Sequence, residues 1–567
     1  MRNACFAARC AVSAVLCLAT ATIAAAQETE TTFHDLSLLV APELPASWSA
    51  GFPPFEISHY LRIGPLSAYN SDILTIDEHT GTQFDAPAHF VPPPDSGLPN
   101  AGPLGAVTGE HVPIWQFVGE ACAIDCADIL ESAPNGESAF VTRDRIAAWE
   151  RTNRPLGPGD VVLFRSGYTD RFYQPFPAGR RLVADPVQGT APGWPDPDVV
   201  CMEYLVSRGV KTLGTDSPSM GPIPGDLPVQ VHLAGLSQGL IWMENGTGLG
   251  HLPPTGAFYG ILGIKHARSS GTESRAFAIT GPLAEGLIES AREHRVADLS
   301  VLLDEDLPVA SPGAGTGNHR CPYYIKVVNA FGKAGPFLAQ THRMDSHTGT
   351  HLVPPAYALP PEGFDNDQYD EQTRGWLAEY EAQYGPRGTS DMTLDKVPLS
   401  QTCGTARIID VGHLVGTTQE SDWPGSPEIA VDDIRKYEEE QGDLLPGEVV
   451  LFKSGYSDEF YRPLPDGAAC FKEPLDGLRE GWPAPGPDAI KYLAERGIAC
   501  VGSDGPTLGG AGAKRALFTY WALGTHGMAG VEYLTNLEAV PDKSYFLFAP
   551  VLIRDCHGGP GRAIALY

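Results

Sequence analysis

Two kinds of stretch alternate along the chain. One is short, apolar and rich in β-branched residues, as in "DVVLFRSG" from Asp160 and "VKTLGTD" from Val210. Continuous apolar runs of this length that end in Gly or Asp predict buried strands. The other places apolar residues three and four apart, as in "DPDVVCMEYLVSRG" from Asp196 and "GPDAIKYLAERG" from Gly486. With Pro near the start and Gly at the end, these predict helices. A helix closed by Gly and followed by a strand ending in "TD" or "SD" is an α/β unit. The pattern leaves the strand order open.

The same units occur twice. "PGDVVLFRSGYTDRFYQPFP" from Pro158 is matched by "PGEVVLFKSGYSDEFYRPLP" from Pro446, and "GVKTLGTDSPSMG" from Gly209 by "GIACVGSDGPTLG" from Gly497. "GWP" at Gly193 returns at Gly481, so all three pairs share an offset of 288. An earlier pair, "HTGT" at His79 and at His347, has an offset of 268. The second copy therefore carries about twenty extra residues between these segments, placed in "GFDNDQYDEQTRGWLAEYEAQYG" from Gly363. The expected organisation is residues 1–26 as a leader, 27–290 as one domain and 291–567 as a second of the same kind.

The leader reads as an export signal. Arg2 and Arg9 are its only charged side chains, an apolar stretch runs from Ala11 to Ala26, and Ala24–Ala26 precede Gln27. That is the n-region, h-region and small-residue cleavage pattern, and it predicts a periplasmic or secreted protein. Without it, 37 Lys+Arg face 69 Asp+Glu, a net charge of −32. Such acidity argues against nucleic acid or an anionic membrane surface as partner. Eight cysteines remain, from Cys122 to Cys556. Their spacing fits no redox motif, and they read as structural or buried.

The chemistry concentrates in "HTGTQFDAPAHF". His79, Gln83, Asp85 and His89 all carry nitrogen or oxygen lone pairs within eleven residues, the ligand types that metal sites use. A straight strand would spread them over roughly 33 Å, so a common site requires bends, and Gly81 and Pro87 are where bends cost least. These residues alone leave two readings open, a metal site or a polar hydrogen-bonded loop.

The segment resembles HxGTHxDxPxH, the signature of the metal-dependent cyclase family, which includes bacterial kynurenine formamidases and isatin hydrolases. It departs at Gln83, where the family has a second His. The resemblance extends over both repeats. It implies a swivelling β/β/α-type α/β domain, duplicated here in tandem as a pseudo-dimer. It also implies two distant ligands, a His followed twelve residues later by a Glu, a spacing matched by His232 and Glu244. On this resemblance His79, Gln83, Asp85, His232 and Glu244 hold one or two divalent ions, Mn²⁺ or Zn²⁺, and His89 moves protons. An amide oxygen at position 83 is a harder, weaker ligand than imidazole, which favours Mn²⁺.

The second copy keeps His347 and His351 but has Val353 for Asp85 and Tyr357 for His89. Tyr520 replaces His232, and Glu532 matches Glu244. It is expected to lack the chemistry; a different ion on His347, His351 and Glu532, with Asp345 or His526, is the alternative. The family commonly assembles as dimers, so the second copy is expected to wall the first copy's pocket, with further homo-oligomers allowed. Tyr168, Phe172, Tyr173 and Trp242 are candidate pocket aromatics, with core packing the preferred alternative for each taken singly. The expected function is metal-dependent hydrolysis of a C–N or C–O bond in a small carbonyl compound: an arylformamide, cyclic amide or lactone. The alternative is an exported metal- or ligand-binding protein without turnover. No phosphate-binding GxxxxGK[ST] loop and no HExxH helix are present.

Overall fold

The computed structural model describes residues 30–48, 52–309, 321–332 and 335–567. The predicted leader lies outside these residues. Among them no helix is long and apolar enough to cross a membrane.

Each repeat builds the same sheet. In the first, strands Val118–Asp125, Asp160–Arg165, Thr212–Thr215 and Ile241–Glu244 run parallel side by side. Their residues are almost wholly buried, as "DVVLFR" is from Asp160 to Phe164; both faces of a parallel sheet are covered, which accounts for the unbroken apolar runs. Gln83–Asp85 adds antiparallel to Ile241–Glu244 and also pairs with Gly271–Thr280. Gly271–Thr280 continues through Ala257–Gly263 back to Val118–Asp125, so the sheet closes on itself as a barrel. The second repeat closes the same ring, with His351–Val353 in the place of Gln83–Asp85 and Ala529–Glu532 in the place of Ile241–Glu244. The helices read from the sequence form at Val199–Ser207 and Pro487–Glu495, and the Asp198 carboxylate caps the first by accepting from Cys201 N. The extra residues of the second copy form a 3₁₀ turn, Asn366–Gln368, and a helix, Glu371–Tyr384, without counterparts in the first.

The two repeats are joined by a shared ladder. Ser71–Asp77 pairs antiparallel with Ala339–Asp345; Ile73 meets Asp345 and Asp77 meets Thr341. Asp77 and Asp345 are equivalent in the repeats, as are Ile73 and Thr341. The ladder is therefore symmetric about the Thr75–Arg343 pair, the position of a pseudo-twofold axis. Leu74, Ile76 and Ile264 of the first half share one apolar core with Met344, Val531 and Phe546 of the second. Ile261 and Ile279 share another with Leu547 and Ile564. Each such fully buried side chain contributes roughly 1.5–3 kcal/mol over its exposed state, so each half relies on the other for part of its core. All eight described cysteines are buried and unpaired.

Candidate metal centre

The chain leaves Asp77, turns through Gly81 in the left-handed region (φ +65°) and enters the strand Gln83–Asp85. A Cβ at Gly81 would lie 2.8 Å from Val40 Cγ2, so glycine is required there on both counts. Pro87 then opens a one-turn 3₁₀ helix, Pro87–His89. These are the two bends the motif needed. Thr82 fixes the segment: its hydroxyl donates to Asn245 O (2.7 Å) and accepts from Leu38 N (2.8 Å). Thr350 makes the equivalent bonds to Tyr533 O and Val301 N. The HTGT turn thus has a structural task in both copies, independent of any ligand.

Strand register brings the distant residues in. Glu244 lies opposite Gln83, and Trp242 opposite Asp85. Gln83 Nε2 donates to Glu244 Oε2 at 2.9 Å, Trp242 Nε1 donates to Asp85 Oδ2 at 3.1 Å, and Met220 N donates to Glu244 Oε1 at 2.6 Å. His232 comes from the helix Leu227–Leu236, and its Nε2 lies 3.6 Å from both Asp85 Oδ2 and Glu244 Oε1. His79 Nε2 lies 3.5 Å from Asp85 Oδ1. Two clusters of metal-ligand type share Asp85: His79 with Asp85 and His89, and Asp85 with His232 and Glu244. All six side chains from the sequence reading meet at one place, each at most 6% exposed.

The histidine tautomers follow from their partners. A carbonyl only accepts, so His89 Nδ1–H donates to Leu338 O (2.7 Å) and His232 Nδ1–H to Pro228 O (2.7 Å). Each Nε2 is left facing the carboxylates. His89 stacks on His79 with ring centroids 4.2 Å apart. Burial, then the neighbouring His79 charge, lowers His89 to about 3, so it is neutral. Burial works against the charge on His79 and His232. Asp77 and Asp85 outweigh it and raise His79 to about 9; Asp85 and Glu244 raise His232 to about 10. Burial raises Glu244, as does Asp85. Asp85 itself is held down at about 2, because His89, His232 and His79 outweigh its burial.

The donors fit a divalent cation. His79 Nε2, Gln83 Oε1 and Asp85 Oδ1 are buried without a hydrogen-bond partner. Native interiors rarely leave such atoms unsatisfied, and the set offers two imidazoles, two carboxylates and an amide oxygen.

A cavity of about 200 Å³ opens beside these groups. Its aromatic walls are Trp48, Phe52, Phe90, Trp194 and Phe337. The four candidate aromatics take the packing alternative instead: Tyr168 OH bonds Leu182 O, Tyr173 OH bonds Leu39 O, Phe172 packs on Tyr168, and Trp242 lies behind Asp85. Trp194 belongs to the repeated "GWP", which was a usable signal. Phe337 and the Leu338 carbonyl come from the second half. No local signal could reveal them, although Phe337 is the repeat equivalent of Tyr69.

Among its described residues the second copy has no matching ligand set. Tyr520 OH donates to Glu532 Oε1 (2.6 Å), which also accepts from Leu508 N (2.6 Å). His351 Nε2 approaches Glu532 Oε2 at 3.1 Å but is not aligned for a hydrogen bond. His347 is held by Asp345 and by His557 O, and His526 lies at the end of the helix Ala513–Thr525 beside Lys491 and Glu495. The remaining cluster of ligand type among the described residues is His59, Asp72 and His557, and there Arg62 already bonds Asp72.

The "Putative cyclase" family model matches residues 34–222 and 297–509, one segment in each repeat. An isatin hydrolase of Roseibium aggregatum is 28% identical over 251 residues, covering 42% of this chain and 85% of that protein. Two solved structures are also similar. Isatin hydrolase A from Labrenzia aggregata, bound to benzyl benzoate, has 21% identity and a TM-score of 0.38 over 50% of this chain and 99% of its own. Isatin hydrolase A from Ralstonia solanacearum has 23% identity and a TM-score of 0.37 over 50% and 95%. With most of its length matched, once in each half, the chain belongs to the cyclase family.

Proposed function

We propose that this protein is a metal-dependent hydrolase that opens a C–N or C–O bond in a small aromatic carbonyl compound, an arylformamide, cyclic amide or aryl lactone. The observation that carries the reading is the convergence of His79, Gln83, Asp85, His232 and Glu244, three of them with unpartnered buried atoms, on an aromatic cavity. These residues would hold the ion, Mn²⁺ in preference to Zn²⁺ because two carboxylates and an amide oxygen outnumber the imidazoles. When bound, a divalent ion polarises a carbonyl and lowers the pKa of water toward neutrality. Leu338 O holds the His89 ring in one tautomer, so Nε2 is the basic atom. It takes a proton from the attacking water and returns it to the leaving nitrogen or oxygen. Trp242 keeps Asp85 oriented. The aromatic walls exclude water and align a flat substrate.

One observation favours a second reading, a binding protein without turnover: the Gln83 amide nitrogen engages Glu244. A panel of formanilide, isatin and dihydrocoumarin, assayed on metal-stripped protein reloaded with Mn²⁺ or Zn²⁺, separates them. Turnover restored by a divalent ion supports the hydrolase; an ion bound stoichiometrically with no turnover supports the alternative. Export to the periplasm or medium is part of the proposal and is tested by fractionation of expressing cells.

A further inference from the structure

The second half keeps a cavity where its chemistry is gone. It measures about 240 Å³, as large as that of the first half. Tyr69 and Tyr357 stack on its floor with centroids 4.8 Å apart and planes 19° from parallel. The inserted helix Glu371–Tyr384 contributes Gln372, Thr373 and Trp376 to the lining. An inactive relic would be expected to lose its cavity to larger side chains or collapse. Here the chain has added a wall that the first copy lacks.

The lining defines what fits. Val353 and the Tyr520–Glu532 bond occupy the positions of Asp85 and His232, so the place of the ion is taken by protein groups. The acidic groups are saturated: Asp345 accepts from Ser71, His347 and Tyr60, and Asp370 caps the inserted helix at Thr373. The hydroxyls of Tyr69 and Tyr357 make no hydrogen bond to a described residue. Burial raises both phenols, which stay protonated and able to donate. The cavity therefore offers aromatic faces and phenolic donors, with its carboxylates already engaged.

We infer that this cavity is a second, non-catalytic ligand site for a planar aromatic molecule bearing a carbonyl or carboxylate oxygen. Such a ligand stacks against Tyr69 and Trp376 and accepts from the Tyr69 and Tyr357 hydroxyls. The inference stands on the lining alone, and it holds whether or not the first cavity turns substrate over.

Benzamide is a suitable probe. Calorimetric titration of the metal-loaded full chain is expected to show a site that survives Phe337→Ala, which alters only the first cavity. Tyr69→Phe/Tyr357→Phe, which keeps the shape and removes the donors, is expected to weaken that site about tenfold. Trp376→Ala, at a half-exposed helix position, should weaken it by a similar factor. A crystal of the full chain soaked in benzamide should show the ring between Trp376 and Tyr69. Density confined to the first cavity overturns the inference, and so does an affinity unchanged in both sets of second-cavity variants.

Discussion

Phe337→Ala tests whether the second half works in the first half's cavity. The Phe337 ring stacks on Phe52 with centroids 5.8 Å apart and 10° between planes, and it stands 5.5 Å from His89 and 5.7 Å from Phe90. It carries no polar atom and holds no proposed ligand. The bond that sets the His89 tautomer runs to the neighbouring backbone carbonyl and survives the substitution. What is removed is one aromatic wall, worth about 0.5–1.5 kcal/mol for a stacked aryl group, or about 2–13-fold in binding. A wall contacts ground state and transition state alike, so KM rises by that factor while kcat stays within about twofold. The assay is steady-state hydrolysis of isatin and formanilide by the Mn²⁺-loaded variant. Thermal melting accompanies it, and only a small shift is expected from a partly exposed residue. An unchanged KM refutes the wall. A fall in kcat at constant KM refutes the separation of wall from proton carrier.

His89→Gln should keep its metal content and lose about 10²–10⁴-fold in kcat, the contribution of one positioned proton carrier; metal analysis beside kinetics checks both. Trp242→Phe removes the donor to Asp85 Oδ2 and should weaken metal binding about 10–100-fold, read by competition with a chelator. Asp72 links the halves through His59, Arg62 and the His557 of the second half. Its burial is outweighed by His557 and His59, which hold its carboxyl well below the usual range. A depressed carboxyl stabilises above its unfolded pKa, near 4, and that contribution fades as pH falls through the native value. Asp72→Asn should therefore cost roughly 2 kcal/mol at pH 7, discounted for half-exposed partners. The variant's stability should also fall less steeply in acid, as denaturant melts at pH 7 and pH 3 would show. A chain truncated after residue 300 exposes the cores shared between the repeats; it should be insoluble or inactive, and a soluble, fully active first half would contradict the pseudo-dimer.

The site was legible where chemistry dictates residue type at close spacing. His79, Asp85 and His89 stand within one bend, and His232 and Glu244 became readable through the family's spacing. The duplication was legible because whole segments repeat, and the place of the inserted residues because the two offsets differ; that they fold as a helix came only with the structure. What stayed hidden depends on register and symmetry. Trp242 orients Asp85 only because those residues face each other across two strands. The Leu338 carbonyl is a backbone atom, which has no signature in any residue type. Phe337 reaches the cavity through the ladder about Thr75 and Arg343. Tyr168 and Tyr173 took the packing role rather than the pocket one, their hydroxyls tied to the backbone carbonyls of Leu182 and Leu39.

The exchange of loops across the ladder makes the two halves unequal heirs of their ancestor. Phe337 and Leu338 reside in the half with Val353 and Tyr357 at the motif positions, yet they sit beside His89 in the other half's cavity. Their freedom to vary should be set by the cavity of the other repeat. Tyr69 has the converse position: it sits in the first half but lines the second half's cavity. Tolerance to substitution should therefore cross over between the repeats, with the constraints of each cavity extending into the arm of the other half.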